Sequence, residues 1–396
     1  MSTARYLIGD VRDRMAELPD DSVDLVLTSP PFLALRSYLP ADHPDKAREI
    51  GSEPTPAEFL DTLLGLTAEW GRLLAPHGSI AVELGDTYAG GGQGPDANHP
   101  GSERPVAASH GRGWPLDKSL CGIPHLYHLS LAYGRNLLTG EPSPAGEWRV
   151  RNVVAWCRPN PPVGALGDKF RPATSYITIA TRARDRWFDL DAVRSDPADV
   201  KDQRVRTTNG PKQNADPSEV LTANYTQRVP SNPAGAPPLD WWEVPTEPYK
   251  GSHYATWPRK LLTRPIDACC PREVCRTCGE PRRRIVGEAE YVGRNGREAL
   301  RHFDGERVAD GVNNWDTKGD RTSTRVAPTL GFTDCGHGDY RPGVVLDPFA
   351  GSGTTLAVAT GMGRDAIGID IDARNADLAL ERVGMFLTIE DRRSRS

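Results

Sequence analysis

The sequence predicts an α/β fold, with a mostly parallel sheet flanked by helices and interrupted by two insertions. Three observations lead to it. Two short runs, Val23-Asp24-Leu25-Val26-Leu27-Thr28 and Val344-Val345-Leu346, are nearly continuous in apolar residues, as strands covered on both faces must be. Strand-like and helix-like periodicities alternate at both ends of the chain, as parallel sheets require. One strand feeds a glycine-rich turn, and the next strand closes on an acid about twenty residues later.

The elements follow in order. Residues 5–9 read as a strand and 12–18 as a short helix stopped by Pro19. Strand 23–28 is followed by a helix over 56–74, with Phe59, Leu60, Leu63, Leu64, Leu66, Trp70, Leu73 and Leu74 at helical spacing and a stop near Pro76 and Gly78. Residues 79–84 form a strand, and 89–114, rich in Gly, Asn and Pro, form a long loop. A helix spans 120–138, and strands span 148–156 and 175–180. Segment 195–247 is polar, with little periodicity, and reads as an irregular insertion. A short helix covers 257–267, and a second insertion runs over 269–337. Strand 344–346, helix 356–360, strand 365–370 and helix 373–387 complete a βαβα unit.

The 396 residues suffice for two or three domains, or for one large domain with insertions. No apolar run of about 18 residues is present, which excludes a membrane helix. The start MSTARYLIGD lacks the pattern of a secretory signal. Seven cysteines, four of them crowded between Cys269 and Cys278, suit metal binding in a reducing cytoplasm better than disulfides. The net charge of −5 is unevenly spread: residues 1–100 carry a net −9, and residues 149–186 a net +6. An acidic scaffold with a basic face is compatible with a nucleic-acid partner.

The glycine-rich phrase is Asp347-Pro348-Phe349-Ala350-Gly351-Ser352-Gly353-Thr354-Thr355. Gly351 and Gly353 let a backbone approach a ligand, and the following helix start offers free N–H groups. Asp370 then stands where nucleoside-binding folds place a carboxylate on ribose hydroxyls. The spacing matches neither G-x-G-x-x-G nor a P-loop, which disfavours NAD and ATP. The second phrase, Ser29-Pro30-Pro31-Phe32, ends a buried strand. Its prolines remove two N–H donors and leave acceptors beside an aromatic ring, a setting for a planar amine.

Together these phrases resemble the amino-methylating DNA methyltransferases, which methylate N4 of cytosine or N6 of adenine from S-adenosylmethionine. The Ser-Pro-Pro-Phe phrase is similar to their catalytic motif, and the glycine-rich phrase to their cofactor motif. The order, catalytic first, resembles the permuted beta class. Gly9-Asp10, Val82-Glu83-Leu84-Gly85-Asp86, the stretch from Arg151 to Pro161, and Ser252-His253-Tyr254-Ala255-Thr256-Trp257-Pro258 resemble further pieces in the same order. The resemblance implies a Rossmann-like methyltransferase sheet. It also implies cofactor contacts at Asp10, His253, Asp347, Phe349, Gly351, Gly353, Thr354 and Asp370. Ser29 and the Pro30 carbonyl, held by Pro31, would accept the amine's hydrogens, and Phe32 would stack on a flipped base. Ser rather than Asp at the first motif position resembles the N4-cytosine group, with N6-adenine as the alternative.

Two other readings stay open: a non-catalytic zinc-stapled DNA-binding protein, and a methyltransferase acting on RNA or protein. The expected parts are a catalytic half (1–194), a target-recognition insertion (195–249), a cofactor-contacting helix (250–268), a zinc-knuckle insertion (269–340) and a cofactor-binding half (341–396). Duplex DNA is the expected partner, with a cognate restriction enzyme as an optional companion.

Cys275-Arg276-Thr277-Cys278 and Cys335-Gly336-His337 have the spacing of a tetrahedral structural zinc site. Cys270 is a rival to His337 for the fourth position. Arg282, Arg283 and Arg284 in the same insertion are phosphate-contact candidates.

Overall fold

Nine strands pair side by side in one sheet, and the order of pairing decides where the motifs meet. In this computed structural model the described residues are 2–35, 38–40, 42–90, 111–161, 167–194, 236–247, 257–287, 290–293, 323–326 and 328–391. The strands are β1 (Ala4–Ile8), β2 (Val23–Thr28), β3 (Leu74–Leu84), β4 (Arg149–Cys157), β5 (Thr174–Thr181), β6 (Trp241–Glu243), β7 (Glu273–Cys275), β8 (Arg284–Val286), β9 (Glu290–Gly293), β10 (Ser323–Val326), β11 (Thr329–Phe332), β12 (Tyr340–Pro342), β13 (Val344–Asp347), β14 (Asp365–Asp370) and β15 (Leu387–Asp391). The α-helices are α1 (Val11–Met15), α2 (Pro56–Leu73), α3 (Ile123–Tyr133), α4 (Arg259–Cys269), α5 (Thr354–Gly361) and α6 (Arg374–Val383).

The large sheet runs β15-β1-β14-β13-β2-β3-β5-β4-β6. Only β5 is antiparallel to its neighbours. The C-terminal ends of β1, β14, β13, β2, β3 and β4 therefore share one edge. The chain leaves β2 through α2 toward β3, and leaves β13 through α5 toward β14, in opposite directions along the sheet. Open α/β sheets bind ligands at such a switch point.

Helices cover both faces. The apolar side of α2 (Phe59, Leu60, Leu63, Leu64, Trp70) joins Val11 and Met15 of α1 and Tyr127 of α3 over Val26, Ile80 and Leu346. Alternate residues Leu25, Leu27 and Val345 are fully buried on the other face, where α4, α5 and α6 pack in series. Thr55 is the N-cap of α2: its Oγ1 accepts from the Glu58 N–H at 3.3 Å and donates to the Glu58 carboxylate at 3.1 Å.

Several boundaries differ from expectation for local reasons. Helix α3 is shorter than 120–138, because Gly122 (φ +75) and Gly134 (φ +63) sit at its two caps in the left-handed region. The C-terminal helix stops at Val383, where Gly384 has φ +70, and residues 387–391 instead extend the sheet as β15. Helix α2 passes directly into β3, so Pro76 lies inside that strand. Within the segment read as irregular, residues 241–243 pair in parallel with β4, fixed by Trp156 Nε1 donating to the Val244 carbonyl at 2.7 Å.

The chain divides into two compact units. One holds Met1–Asp189, Leu239–Arg282 and Asp334–Ser396, and with them the nine-stranded sheet and the β7–β12 pair. The other holds Leu190–Pro238 and Arg283–Thr333. Its described parts include the antiparallel pairs β8–β11 and β9–β10, and an Asp191 that pairs with both Arg194 and Arg284. No described helix is long and apolar enough to cross a membrane.

Candidate active site

Ser29 lies just beyond the last residue of β2, beside the end of β3. Its hydroxyl donates to Glu83 Oε2 at 2.6 Å. Glu83 is buried within β3, and Ser175 of β5 also hydrogen-bonds to it. Burial pushes the Glu83 carboxyl up in pKa, against the two serine hydrogen bonds and the charge of Arg158. Arg158 reaches Ser175 Oγ at 3.3 Å. With its proton committed to Glu83, Ser29 keeps both oxygen lone pairs for an incoming donor. Glu83 belongs to the Val82–Asp86 stretch, where the motif resemblance assigns it no role in the site. A lone acid inside the apolar run Ile80-Ala81-Val82-Glu83-Leu84 was the available signal.

Pro30 is buried, while Pro31 and Phe32 are half-buried. The Phe32 ring lies on Gly85: a Cβ there would come within 2.7 Å of Phe32 Cε2. Gly85 therefore permits the ring's close seat at the strand end. Asp86, next along, caps α3 by accepting from the Gly122 and Ile123 N–H groups at 2.9 and 3.2 Å.

The glycine-rich turn leaves β13, the sheet neighbour of β2. Gly351 has φ +50 and Gly353 φ +75, so both glycines occupy the left-handed region. A Cβ on Gly353 would meet Ala379 Cβ at 2.8 Å, which adds tight packing against α6. Asp370 ends β14 and accepts from the Gly351 N–H (2.9 Å), the Asp372 N–H (2.8 Å) and Asn375 Nδ2 (3.0 Å). Tyr6 donates to the Gly351 carbonyl at 2.7 Å. Ser352 Oγ is buried with no protein partner. Thr354 Oγ1 accepts from Arg382 at 2.7 Å. The turn thus has a fixed shape, with an orphaned buried hydroxyl at its centre.

Asp347 is turned inward. It accepts from Thr28 Oγ1 (2.7 Å), Thr355 Oγ1 (2.5 Å) and the Phe349 N–H (3.1 Å), so it clamps the end of β2 to the turn and to α5. Burial pushes its carboxyl up to about 6 despite these bonds. Ionisation is therefore disfavoured in the folded chain, and the contribution of this group is complete below about pH 4 and is lost as pH rises through about 6. A shift of roughly two units corresponds to about 3 kcal/mol. Asp347→Asn removes this dependence. In urea melts, the stability of the variant relative to the parent should rise by about 3 kcal/mol between pH 4 and pH 7.5. A difference that does not change with pH would contradict the assignment.

The other expected cofactor residues fall as follows. Asp10 follows β1 at the same edge and is the N-cap of α1, accepting from the Arg12 N–H at 2.9 Å and pairing with Arg48 at 2.9 Å. Phe349 is partly buried and leans on the core. His253 lies outside the described residues. Ser29, Glu83, Asp347, the turn and Asp370 are brought together along adjacent strands.

Cys275, Cys278, Cys335 and His337 converge, with one ligand atom from each lying within 4.8 Å of all the others. Cys275 Sγ and His337 Nδ1 are 3.5 Å apart, and His337 Nδ1 and Cys335 Sγ 3.4 Å. Cys270 does not join them: its thiol is fully buried, and a Cβ on Gly343 would come within 2.9 Å of it. The cluster lies by the β7–β12 pair, which leads into the N-terminal end of β13, opposite the edge that carries Ser29.

The sequence pattern of the DNA methylase family of N6/N4 methyltransferases matches residues 23–274 and 340–381. Type II methyltransferase M.SmaI of Serratia marcescens is 22% identical over 388 residues, covering 97% of this chain and 91% of that protein. Type II methyltransferase M.Cfr9I of Citrobacter freundii is 24% identical over 265 residues, covering 66% of this chain and 71% of that protein. Among solved structures, the PvuII DNA methyltransferase (cytosine-N4-specific) is 14% identical with a TM-score of 0.48, covering 96% of this chain and 86% of that one. The family match spans both the strand end at Ser29 and the turn from Asp347 to Asp370, and on it the chain belongs to the N6/N4 family of DNA methylases.

Proposed function

We propose that this DNA methylase transfers the methyl group of S-adenosylmethionine to the exocyclic N4 of cytosine in duplex DNA. The observation that carries the reading is the hydrogen bond from Ser29 to the buried Glu83, one strand from the glycine-rich turn. Ser rather than Asp at the head of the motif favours cytosine N4 over adenine N6. The type II names of its relatives support site-specific methylation alongside a cognate restriction enzyme.

When bound, S-adenosylmethionine supplies an electrophilic methyl group on a sulfonium. The residues that would hold it are Phe349, Gly351, Gly353, Thr354 and Asp370, with Asp10 and His253 added by resemblance. The orphaned Ser352 hydroxyl and the left-handed glycines fit a ligand pressed against the turn. Phe32 would stack on the flipped cytosine. Ser29 Oγ and the Pro30 carbonyl would accept the two amine hydrogens and so aim the nitrogen lone pair at the methyl carbon. As the N–C bond forms and the S–C bond breaks, the nitrogen becomes cationic and sheds one proton. Ser29 would take that proton while passing its own to Glu83, whose burial raises its proton affinity. No covalent nucleophile is needed. Incubation with methyl-labelled S-adenosylmethionine should place label in duplex DNA. Label confined to RNA or to protein would overturn the reading.

The Cys275, Cys278, Cys335 and His337 set would hold a structural zinc ion. Three sulfurs and one ring nitrogen at this separation fit a closed tetrahedral site. At the opposite sheet edge, such an ion would brace the start of β13. Metal analysis should find one zinc per chain, and Cys278→Ser should lower the melting temperature with little change in cofactor affinity. A metal-free protein whose stability is indifferent to added zinc would contradict this.

A further inference from the structure

The connection from β4 to β5, described over residues 158–161 and 167–173, carries Lys169-Phe170-Arg171. Phe170 is 98% exposed, the most exposed large apolar side chain among the described residues. An aromatic ring held wholly in water contributes nothing to folding, so its place in the fold, and not its exposure, bears on what it does. Two features fix where it stands. Strand β4 runs parallel to the neighbouring motif strands, so its C-terminal turn lies at the edge that carries Ser29. Both flanks of the ring are also tied to that edge. On one side Asp168 pairs with Lys118 at 3.0 Å, and Lys169 Nζ sits 3.6 Å over the ring of Tyr88, just past the end of β3. On the other side the Arg158 N–H donates to the Ala173 carbonyl at 2.8 Å, and Ser175 bonds Glu83. The end of the connection that enters β5 is anchored to the proposed catalytic hydrogen bonds, while the Phe170 ring stands free. Exposed cations on both sides of the ring suit phosphates.

We propose that Phe170 is a wedge that enters the DNA base stack at the target step and fills the space left by the extruded base. This rests on the reading of the chain as a base-flipping DNA methylase. A flipped base leaves a gap whose closure opposes extrusion, and an apolar ring inserted between base steps offsets the unstacking cost of a few kcal/mol. Lys169 and Arg171 would hold the flanking phosphates.

The test uses the full-length protein and its own methylation site, mapped by sequencing DNA methylated in cells. Two duplexes are compared, one with the target base paired and one with an abasic position opposite it, where no pair need be broken. Phe170→Ala should lower kcat/KM roughly ten- to a hundredfold on the paired duplex and less than about threefold on the unpaired one. Phe170→Trp should stay near wild type on both. The melting temperature of Phe170→Ala should be unchanged, since the ring packs against nothing. Leu116→Ala, at another exposed apolar side chain (85% exposed), should not reproduce the paired-to-unpaired contrast. Unchanged activity of Phe170→Ala on the paired duplex, or equal losses on both duplexes, would overturn the wedge. A wild-type protein that methylates neither duplex would overturn the methylase reading beneath it.

Discussion

Replacing Glu83 by Gln should cut turnover about a hundred- to a thousandfold, a loss of roughly 3–4 kcal/mol of transition-state stabilisation. Gln keeps the shape of the side chain and an oxygen to accept from Ser29 and Ser175, but it cannot take a proton. Ser29→Ala should cost a similar factor, because it breaks the same relay one atom earlier. The double variant should be little worse than either single one, as expected of groups acting in series. Affinity for S-adenosylmethionine should hardly move, since the turn from Asp347 to Asp370 is untouched. The pH profile adds a readout that a structural role would not produce. Burial raises the Glu83 pKa, so the wild-type acid limb should lie above the ordinary carboxylate range, and it should vanish in Glu83→Gln. Single-turnover rates across pH measure both effects. A Glu83→Gln enzyme with wild-type rate and an intact acid limb would remove the relay.

The second large effect belongs to stability. Asp24 is fully buried at the N-terminal end of β2. It bonds His77 Nε2 at 2.8 Å, Arg341 at 2.6 and 3.3 Å, and the Val344 N–H at 2.7 Å. Burial pushes its carboxyl up, but the hydrogen bonds from His77 and Arg341 outweigh that and hold the pKa below its usual value. One carboxylate thus ties together β2, β3, β12 and the start of β13. Removing one partner of a buried ion pair typically costs about 3–5 kcal/mol, because the other is left uncompensated. Asp24→Ala should therefore lose about that much in urea unfolding, while the folded fraction keeps normal cofactor affinity. A loss below about 1 kcal/mol would show that water replaces the carboxylate without penalty.

The parts of this molecule that local rules govern were legible in its sequence. Continuous apolar runs marked β2 and β13, and the paired glycines marked a turn whose φ values only glycine adopts readily. Two short sheet-edge strands were not legible. Residues 387–391 follow a helical pattern without a break in apolar spacing, and only the conformation at Gly384 separates helix from strand. Residues 241–243 become a strand because Trp156 and Val244 bind them to β4, a contact between residues far apart in sequence. The site was read unevenly for a related reason. A motif shows which residue types gather, but not which way a carboxylate turns. Asp347 and Asp10 turn onto backbone and neighbouring side chains and fix local geometry. Glu83 became visible only when β3 was laid beside β2 and brought its carboxylate to Ser29.

The most direct measurement is the identity of the modified base. Purified protein, S-adenosylmethionine and duplex DNA should yield, after digestion to nucleosides and mass analysis, N4-methyldeoxycytidine. Its amount should fall at least a hundredfold with Glu83→Gln, about 3 kcal/mol at the transition state. N6-methyldeoxyadenosine in its place would contradict the cytosine assignment, and unmodified DNA would contradict the account of the site as a whole.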